Sequence, residues 1–338
     1  MITNAIHSLL NKESLPFETA REVMNEIMDG KATNAQIGSY LTALRMKGES
    51  IEEIAGSAAS MRSHCTKLTP ETDVLDIVGT GGDEAYTFNI STIAAFVVSA
   101  AGVPVAKHGN RSVSSKCGSA DLLDALGVKI DIPAEQSAEI LKKIGLCFMF
   151  AQTYHASMKF AAPVRRELGV RTIFNILGPL ANPAGANLQL LGVYDENLVE
   201  PLARVLANLG VKRAMVVHGH DGLDEISLCG PSTVCEVNDG KLNSFFLDPA
   251  QFGFEKCKPE DLVGGNPEEN AKIAMDVLSG KKGAKRDIVL LNSAVCLYMA
   301  NSSLTLRDCV RLAAETIDSG KAMEQLHRFI KLSQEEAA

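Results

Sequence analysis

The sequence predicts an α/β protein with a small N-terminal helical domain over residues 1–66, a larger α/β domain over 67–332 and a short disordered tail over 333–338. Three observations carry this reading. Apolar residues recur at helical spacing through the first 66 residues, as at Ile37, Leu41 and Leu44. From Val74 onward, short strand-like apolar runs alternate with helical ones, the pattern of a sheet covered by helices. A chain of 338 residues with 46% hydrophobic content also suffices for a sizeable core in two domains.

The first segment reads as four helices, roughly Ile2 to Asn11, Pro16 to Asp29, Asn34 to Met46 and Ser50 to Cys65, with starts at Thr33-Asn34 and Ser50-Ile51. Helices this short are marginal alone and must pack as a bundle. A hydrophilic connector, Thr66 to Asp73, leads into the second segment.

There Val74 to Val78 reads as a buried strand, followed by Gly79-Thr80-Gly81-Gly82-Asp83, a helix from about Ile90 to Ala101 and a second strand, Val103 to Lys107. Three glycines in four positions allow positive φ and close backbone approach, and successive N–H groups in such a turn can cradle an anion. Asn89-Ile90-Ser91-Thr92 opens the next helix with N-capping residue types, which points a positive dipole end at the same place. Two such devices together suggest a phosphate-rich ligand; the turn alone also fits a plain βα connection. The glycine spacing is neither the dinucleotide nor the P-loop one. A polar loop, His108 to Lys116, then leaves the second strand, and Lys107 and the serines are placed to complete the cradle. Ser119 reads as the N-cap of a helix running to about Leu126 and can touch a ligand as well.

Pro133 to Ile144 reads as an amphipathic helix and Leu146 to Phe150 as a buried strand. If Tyr154 to Leu168 is largely helical, Met158, Ala162 and Arg165 share one face, although Pro163 interrupts it. Gly169 to Ala184 reads as turns rather than a helix end to end, joining two lobes. Strands at Leu188 to Val193 and Ala214 to Val217 flank a helix, Leu198 to Leu209, and the second delivers His218-Gly219-His220-Asp221-Gly222-Leu223-Asp224-Glu225-Ile226-Ser227. The adjacent carboxylates Asp224 and Glu225 suit Mg²⁺, although a solvated acidic turn would read the same. Zinc is disfavoured, because the histidines lack a third nitrogen or thiolate. Beyond Val234 come two strand-like runs and four helices, among them a deeply buried one around Ile288 to Val295 that shows no chemistry.

A net charge of −8 and a pI near 5.5 argue against a broad nucleic-acid-binding face. Eight scattered cysteines without a CxxC pair favour reduced thiols. With no signal-peptide pattern and no run of 18 apolar residues, the expectation is a cytoplasmic protein.

The blocks DIVGTGGD, FNIST, KHGNRSVSS, GSADLLDALG, GVRTIFNILGPLANPA and HGHDGLDEIS, in this order, resemble the anthranilate phosphoribosyltransferase family. Cys117 departs from the small residue often found there. The resemblance implies a nucleoside phosphorylase-like fold with a mixed, mainly parallel sheet flanked by helices, and a homodimer formed through the helical domain. It implies Mg²⁺-dependent transfer of a phosphoribosyl group from 5-phosphoribosyl 1-diphosphate to anthranilate. Residue by residue, it assigns Gly79, Gly82, Asp83, Thr87, Asn89, Ile90 through its backbone, Ser91, Thr92, Lys107, Ser115 and Ser119 to the diphosphate substrate. Gly79, Asn110 and Arg165, with His108 and His155 nearby, fall to anthranilate, whose carboxylate suits a guanidinium fork. Asp224, Glu225 and Ser91 fall to the metal. An aromatic amine is already nucleophilic, so no residue is expected to be an indispensable general base, with His108 a contributor at most. A nucleoside phosphorylase and a nucleic-acid-binding paralogue of the same fold are the alternatives.

Overall fold

The computed structural model describes residues 1–112 and 115–335. Four helices come first, α1 (Ile2–Leu10), α2 (Phe17–Met28), α3 (Asn34–Lys47) and α4 (Ile51–His64). Thr33 and Ser50 start α3 and α4 through capping boxes with Gln36 and Glu53. Glu53 is wholly buried, yet its oxygens accept from the Leu15 N–H at 2.9 Å and Lys47 Nζ at 2.9 Å, so its charge is matched within the bundle.

The second segment runs β1 (Leu75–Gly79), α5 (Ile90–Ala100), β2 (Val105–Gly109), α6 (Ser119–Ala125), α7 (Ala134–Ile144), β3 (Leu146–Phe150), α8 (Ala151–Tyr154), α9 (Ala162–Leu168) and α10 (Phe174–Leu180). It continues with β4 (Leu188–Gly192), α11 (Val199–Asn208), β5 (Arg213–Gly219), β6 (Ser232–Asn238), β7 (Lys241–Leu247), α12 (Pro267–Leu278), α13 (Ala284–Ala300), α14 (Leu306–Asp318) and α15 (Lys321–Gln334). The strands form one seven-stranded sheet in the order β3-β2-β1-β4-β5-β6-β7. The first five in that order are parallel, and β6 and β7 are antiparallel. The sheet is therefore mixed and mainly parallel, as expected.

Two cores sit on opposite faces of the sheet. One packs α5, α13, α14 and α15 against Leu75, Ile77 and Val105. The other joins the N-terminal bundle to α10, α11 and the opposite faces of β4 to β6, through Leu177, Leu191, Leu202 and Val216. Strand order reverses between β1 and β4, and ligands of open α/β sheets lie beyond the carboxyl ends at such a point.

Three expectations need correction. Residues Tyr154–Leu168 do not form one helix: a 3-10 turn over Ala156–Phe160 separates α8 from α9, and Pro163 falls at the first turn of α9, where its missing N–H is harmless. Met158 and Arg165 thus belong to different elements. The segment 169–184 is not helical end to end, as expected, and holds one short helix, α10, with Pro179 inside it. Strand β2 extends through His108 and Gly109, so the loop begins at Asn110. The tail expected from Ser333 is still helical there: α15 reaches Gln334, and buried Ser333 Oγ accepts the Lys129 N–H at 3.0 Å.

Candidate active site

The site grows from the register of β1 and β4, which pairs Gly79 with Gly192 at the reversal point. Neither position has room for a side chain. A Cβ on Gly79 would overlap the Asp224 carboxylate, and one on Gly192 would overlap the Asp224 backbone. The loop after β5 can therefore lay Asp224 and Glu225 across the sheet's edge. It is pinned from behind by α13, where buried Asn292 accepts the Ile226 N–H at 3.0 Å and returns its amide to the Ile226 carbonyl at 3.0 Å.

Both carboxylates engage the two predicted anion-binding devices. The Gly81 N–H donates to Asp224 Oδ2 at 2.7 Å, and the Ser91 N–H, in the first turn of α5, donates to Glu225 Oε1 at 3.2 Å. Gly81 and Gly82 take φ of 67° and 78°, which only glycine adopts freely. Burial raises both carboxyl groups well above the usual range, reinforced by Asp83 at Asp224 and by Asp224 at Glu225. An all-oxygen set of crowded buried carboxylates, with the Ser91 hydroxyl close by, is the environment a hard divalent cation relieves.

Lys107 meets this cluster from β2. Its ammonium donates to the Ile77 carbonyl and to Ser91 Oγ at 3.2 Å. Burial lowers its pKa, opposed first by Asp76 and then by Glu225. The next residue faces the other way, because neighbouring side chains on a strand alternate. Val105 belongs to the core beneath α5, whereas Ala106 packs with Cys147, Met149 and Tyr154. His108 shares the Ala106 side and stacks against His155 with ring centroids 5.0 Å apart. Burial is the main cause that pushes His108 down to about 3 and His155 to about 4, so both are neutral at pH 7. Each Nε2 is buried without a hydrogen-bond partner among the described residues.

Other predicted residues take roles the sequence did not show. Asn89 precedes α5 but makes no side-chain cap; its amide donates to the Cys117 carbonyl at 3.0 Å, and its Oδ1 accepts from Asn270 at 3.0 Å and from Cys117 Sγ at 3.3 Å. Ser119 is not the N-cap of α6: Gly118 holds that position, Asp121 Oδ2 accepts the Gly118 N–H, and Ser119 Oγ donates to the Asn110 carbonyl at 3.2 Å. Thr87 and Ser115 line a cavity of about 330 Å³ with Tyr86, Cys117 and Gly264, and Thr87 bridges to Val263. Ile90 and Thr92 are buried at the start of α5. Arg165 stands apart from these bonds, its guanidinium 5.1 Å from the Phe174 ring centroid. Val113 and Ser114 lie outside the described residues.

Four contributors escaped sequence reasoning. Arg171 donates to the Gly82 carbonyl at 2.5 Å while its guanidinium lies 4.3 Å from the Tyr194 ring centroid, which clamps the glycine turn. Asn270 holds Asn89 from α12, and Asn292 holds Ile226 from α13, the helix that reads as packing alone. Asp76 is a wholly buried acid in an otherwise apolar strand, and that mismatch was the available signal.

The helical bundle, the α/β domain and the acidic pair beside Lys107 have the domain make-up of the glycosyl transferase family. The glycosyl transferase family a/b domain matches residues 71–323 and that family's helical bundle domain matches residues 3–65. The chain is similar to the anthranilate phosphoribosyltransferase of Ruminiclostridium cellulolyticum, with 70% identity over 333 residues and 98% of each chain covered. It is 64% identical to that of Endomicrobium trichonymphae over 335 residues, 99% of this chain and 100% of the other. Among solved structures it is similar to anthranilate phosphoribosyltransferase from Thermus thermophilus, with 43% identity, a TM-score of 0.93, and 98% of this chain and 99% of the other covered. The Saccharomyces cerevisiae protein in complex with PRPP and Mg follows at 30% identity and a TM-score of 0.90, with 98% and 97% covered. The chain belongs to the anthranilate phosphoribosyltransferase family.

Proposed function

We propose that the cleft beyond the carboxyl ends of β1, β2 and β4 transfers the 5-phosphoribosyl group from 5-phosphoribosyl 1-diphosphate to anthranilate, with release of pyrophosphate. Family membership gives the reaction, a step of tryptophan biosynthesis. The observation that carries the placement is the Asp224–Glu225 pair held against the glycine turn and the start of α5, beside Lys107.

Residues on the α5 side serve the diphosphate substrate: Gly79, Gly82, Asp83, Thr87, Asn89, Ile90, Ser91, Thr92, Lys107, Ser115 and Ser119. Residues reached from the His108 side serve anthranilate: Asn110 and Arg165, with His108 and His155 forming a neutral wall. Asp224, Glu225 and Ser91 would hold Mg²⁺, which stabilises negative charge developing on the departing diphosphate. Lys107 adds a fixed positive charge at the same end of the cleft. Two imidazoles with pKa values near 3 and 4 are weak bases at pH 7, which accords with catalysis by positioning rather than by a dedicated base. We assign the active form as a homodimer through the helical bundle and its setting as the cytoplasm, which suits free cysteines.

Loss of anthranilate fluorescence in the presence of 5-phosphoribosyl 1-diphosphate and Mg²⁺ tests the proposal. Turnover is expected, lost with Glu225→Gln at ordinary Mg²⁺ and with Lys107→Met. Folded protein that leaves anthranilate untouched, or a Lys107→Met variant with full activity, overturns the placement.

A further inference from the structure

Strands β1 and β4 stay paired from Leu75–Leu188 to Gly79–Gly192, but β1 and β2 are in register only at Leu75–Val105. Past that pair, side chains stand in for ladder bonds. The His108 N–H donates to Asp76 Oδ1 at 3.1 Å, and the Lys107 ammonium takes the Ile77 carbonyl. Asn182 Nδ2 ties the arrangement together, donating to Asp76 Oδ2 at 2.8 Å and to the Ala106 carbonyl at 2.9 Å. Asp76 is wholly buried, and stability alone would favour an apolar residue at such a position.

We propose that Asp76 is a positioning residue for the transfer: by accepting the His108 N–H and the Asn182 amide it holds β1 and β2 apart at their carboxyl ends, which directs Lys107 to Ser91 and His108 to His155. The inference rests on the assignment of Lys107 and His108 to the site. One carboxylate thereby sets groups on both faces of the sheet, one for each substrate. An asparagine at this position still accepts from His108 but turns an NH₂ group toward the NH₂ of Asn182. Removing the Asn182 side chain as well, Asp76→Asn with Asn182→Ala, takes away the opposed NH₂ group, whereas an acid at 182 would face the Ala106 carbonyl.

The test is steady-state kinetics for both substrates, normalised to folded protein by circular dichroism, in Asp76→Asn, Asn182→Ala, the double variant, Lys107→Met and His108→Asn. Asp76→Asn is expected to lose about 10²-fold in kcat with both KM values raised, as an ångström-scale displacement of reacting groups does. The double variant is expected to lose about as much as Asp76→Asn alone, since paired sites are non-additive. Losses that multiply indicate two independent packing defects and overturn the proposal. So does a single variant whose constants stay within about twofold of wild type while Lys107→Met is inactive. If Lys107→Met and His108→Asn both keep wild-type constants, the site assignment fails instead. Should Asp76→Asn not fold, Asn182→Ala decides: a fall of about fivefold or more in kcat per folded molecule supports positioning, and an unchanged kcat overturns it.

Discussion

Asp224 lies so close over Gly79 that the glycine has no space for a methyl group, and its own backbone fills the space a side chain on Gly192 would need. The two glycines are register partners across the point where strand order reverses. A substitution at either should therefore be felt at the acidic pair before anywhere else. Gly192→Ala is expected to destabilise by about 1–3 kcal/mol, the usual range for overpacking, and more than Gly79→Ala, since a carboxylate can rotate away and a backbone cannot. Thermal melts of both variants, with Mg²⁺ affinity measured alongside, check the order.

Crowding two buried carboxylates costs the metal-free protein stability. Glu225→Gln keeps an acceptor for the Ser91 N–H and removes one charge. In chelator the variant is expected to gain about 1 kcal/mol over wild type, while the stabilisation that Mg²⁺ gives wild type disappears. Melting curves with and without Mg²⁺ read both effects. A variant less stable than wild type in chelator would mean that the crowding is already relieved within the protein.

Among the described residues Arg165 is held over Phe174 and has no acidic partner, which leaves its fork of donors for a carboxylate. Arg165→Ala is expected to raise the KM for anthranilate by about 10²-fold, the value of a lost charged hydrogen-bonding pair, with little change in the KM for the diphosphate substrate. Arg165→Lys should recover only a small part, because a point charge cannot reproduce the planar fork. Equal changes in both KM values would place this arginine elsewhere in the cleft.

Burial raises Asp76 from 3.8 to about 6. Its folded-state pKa lies above the unfolded one, so the contribution to stability is fully present below about 3.9 and is lost as pH rises through about 6. The stability of wild type relative to Asp76→Asn should therefore fall between pH 4 and pH 7, by up to about 3 kcal/mol. Urea denaturation of both proteins across this range measures it, and a pH-independent difference would show that Asp76 is not perturbed.

Much of this was legible in the sequence because local chemistry specified it. Three glycines in four positions announce a turn, and Thr33 and Ser50 with partners three residues on announce helix starts, whatever lies far away in the chain. The misreadings share a physical cause in long-range contacts. Asn89 and Ser119 have the side chains of N-caps, but Asn270 on α12 and the Asn110 carbonyl claim them instead. Arg171 and Asn292 look ordinary because the groups they hold, Gly82 and Ile226, lie 89 and 66 residues away.

On the proposed assignment, the alternation of Lys107 and His108 along β2 separates donor chemistry from acceptor chemistry by the thickness of a sheet. Substitutions beneath His108 can reshape the acceptor pocket while the turn, the acidic pair and the lysine stay untouched.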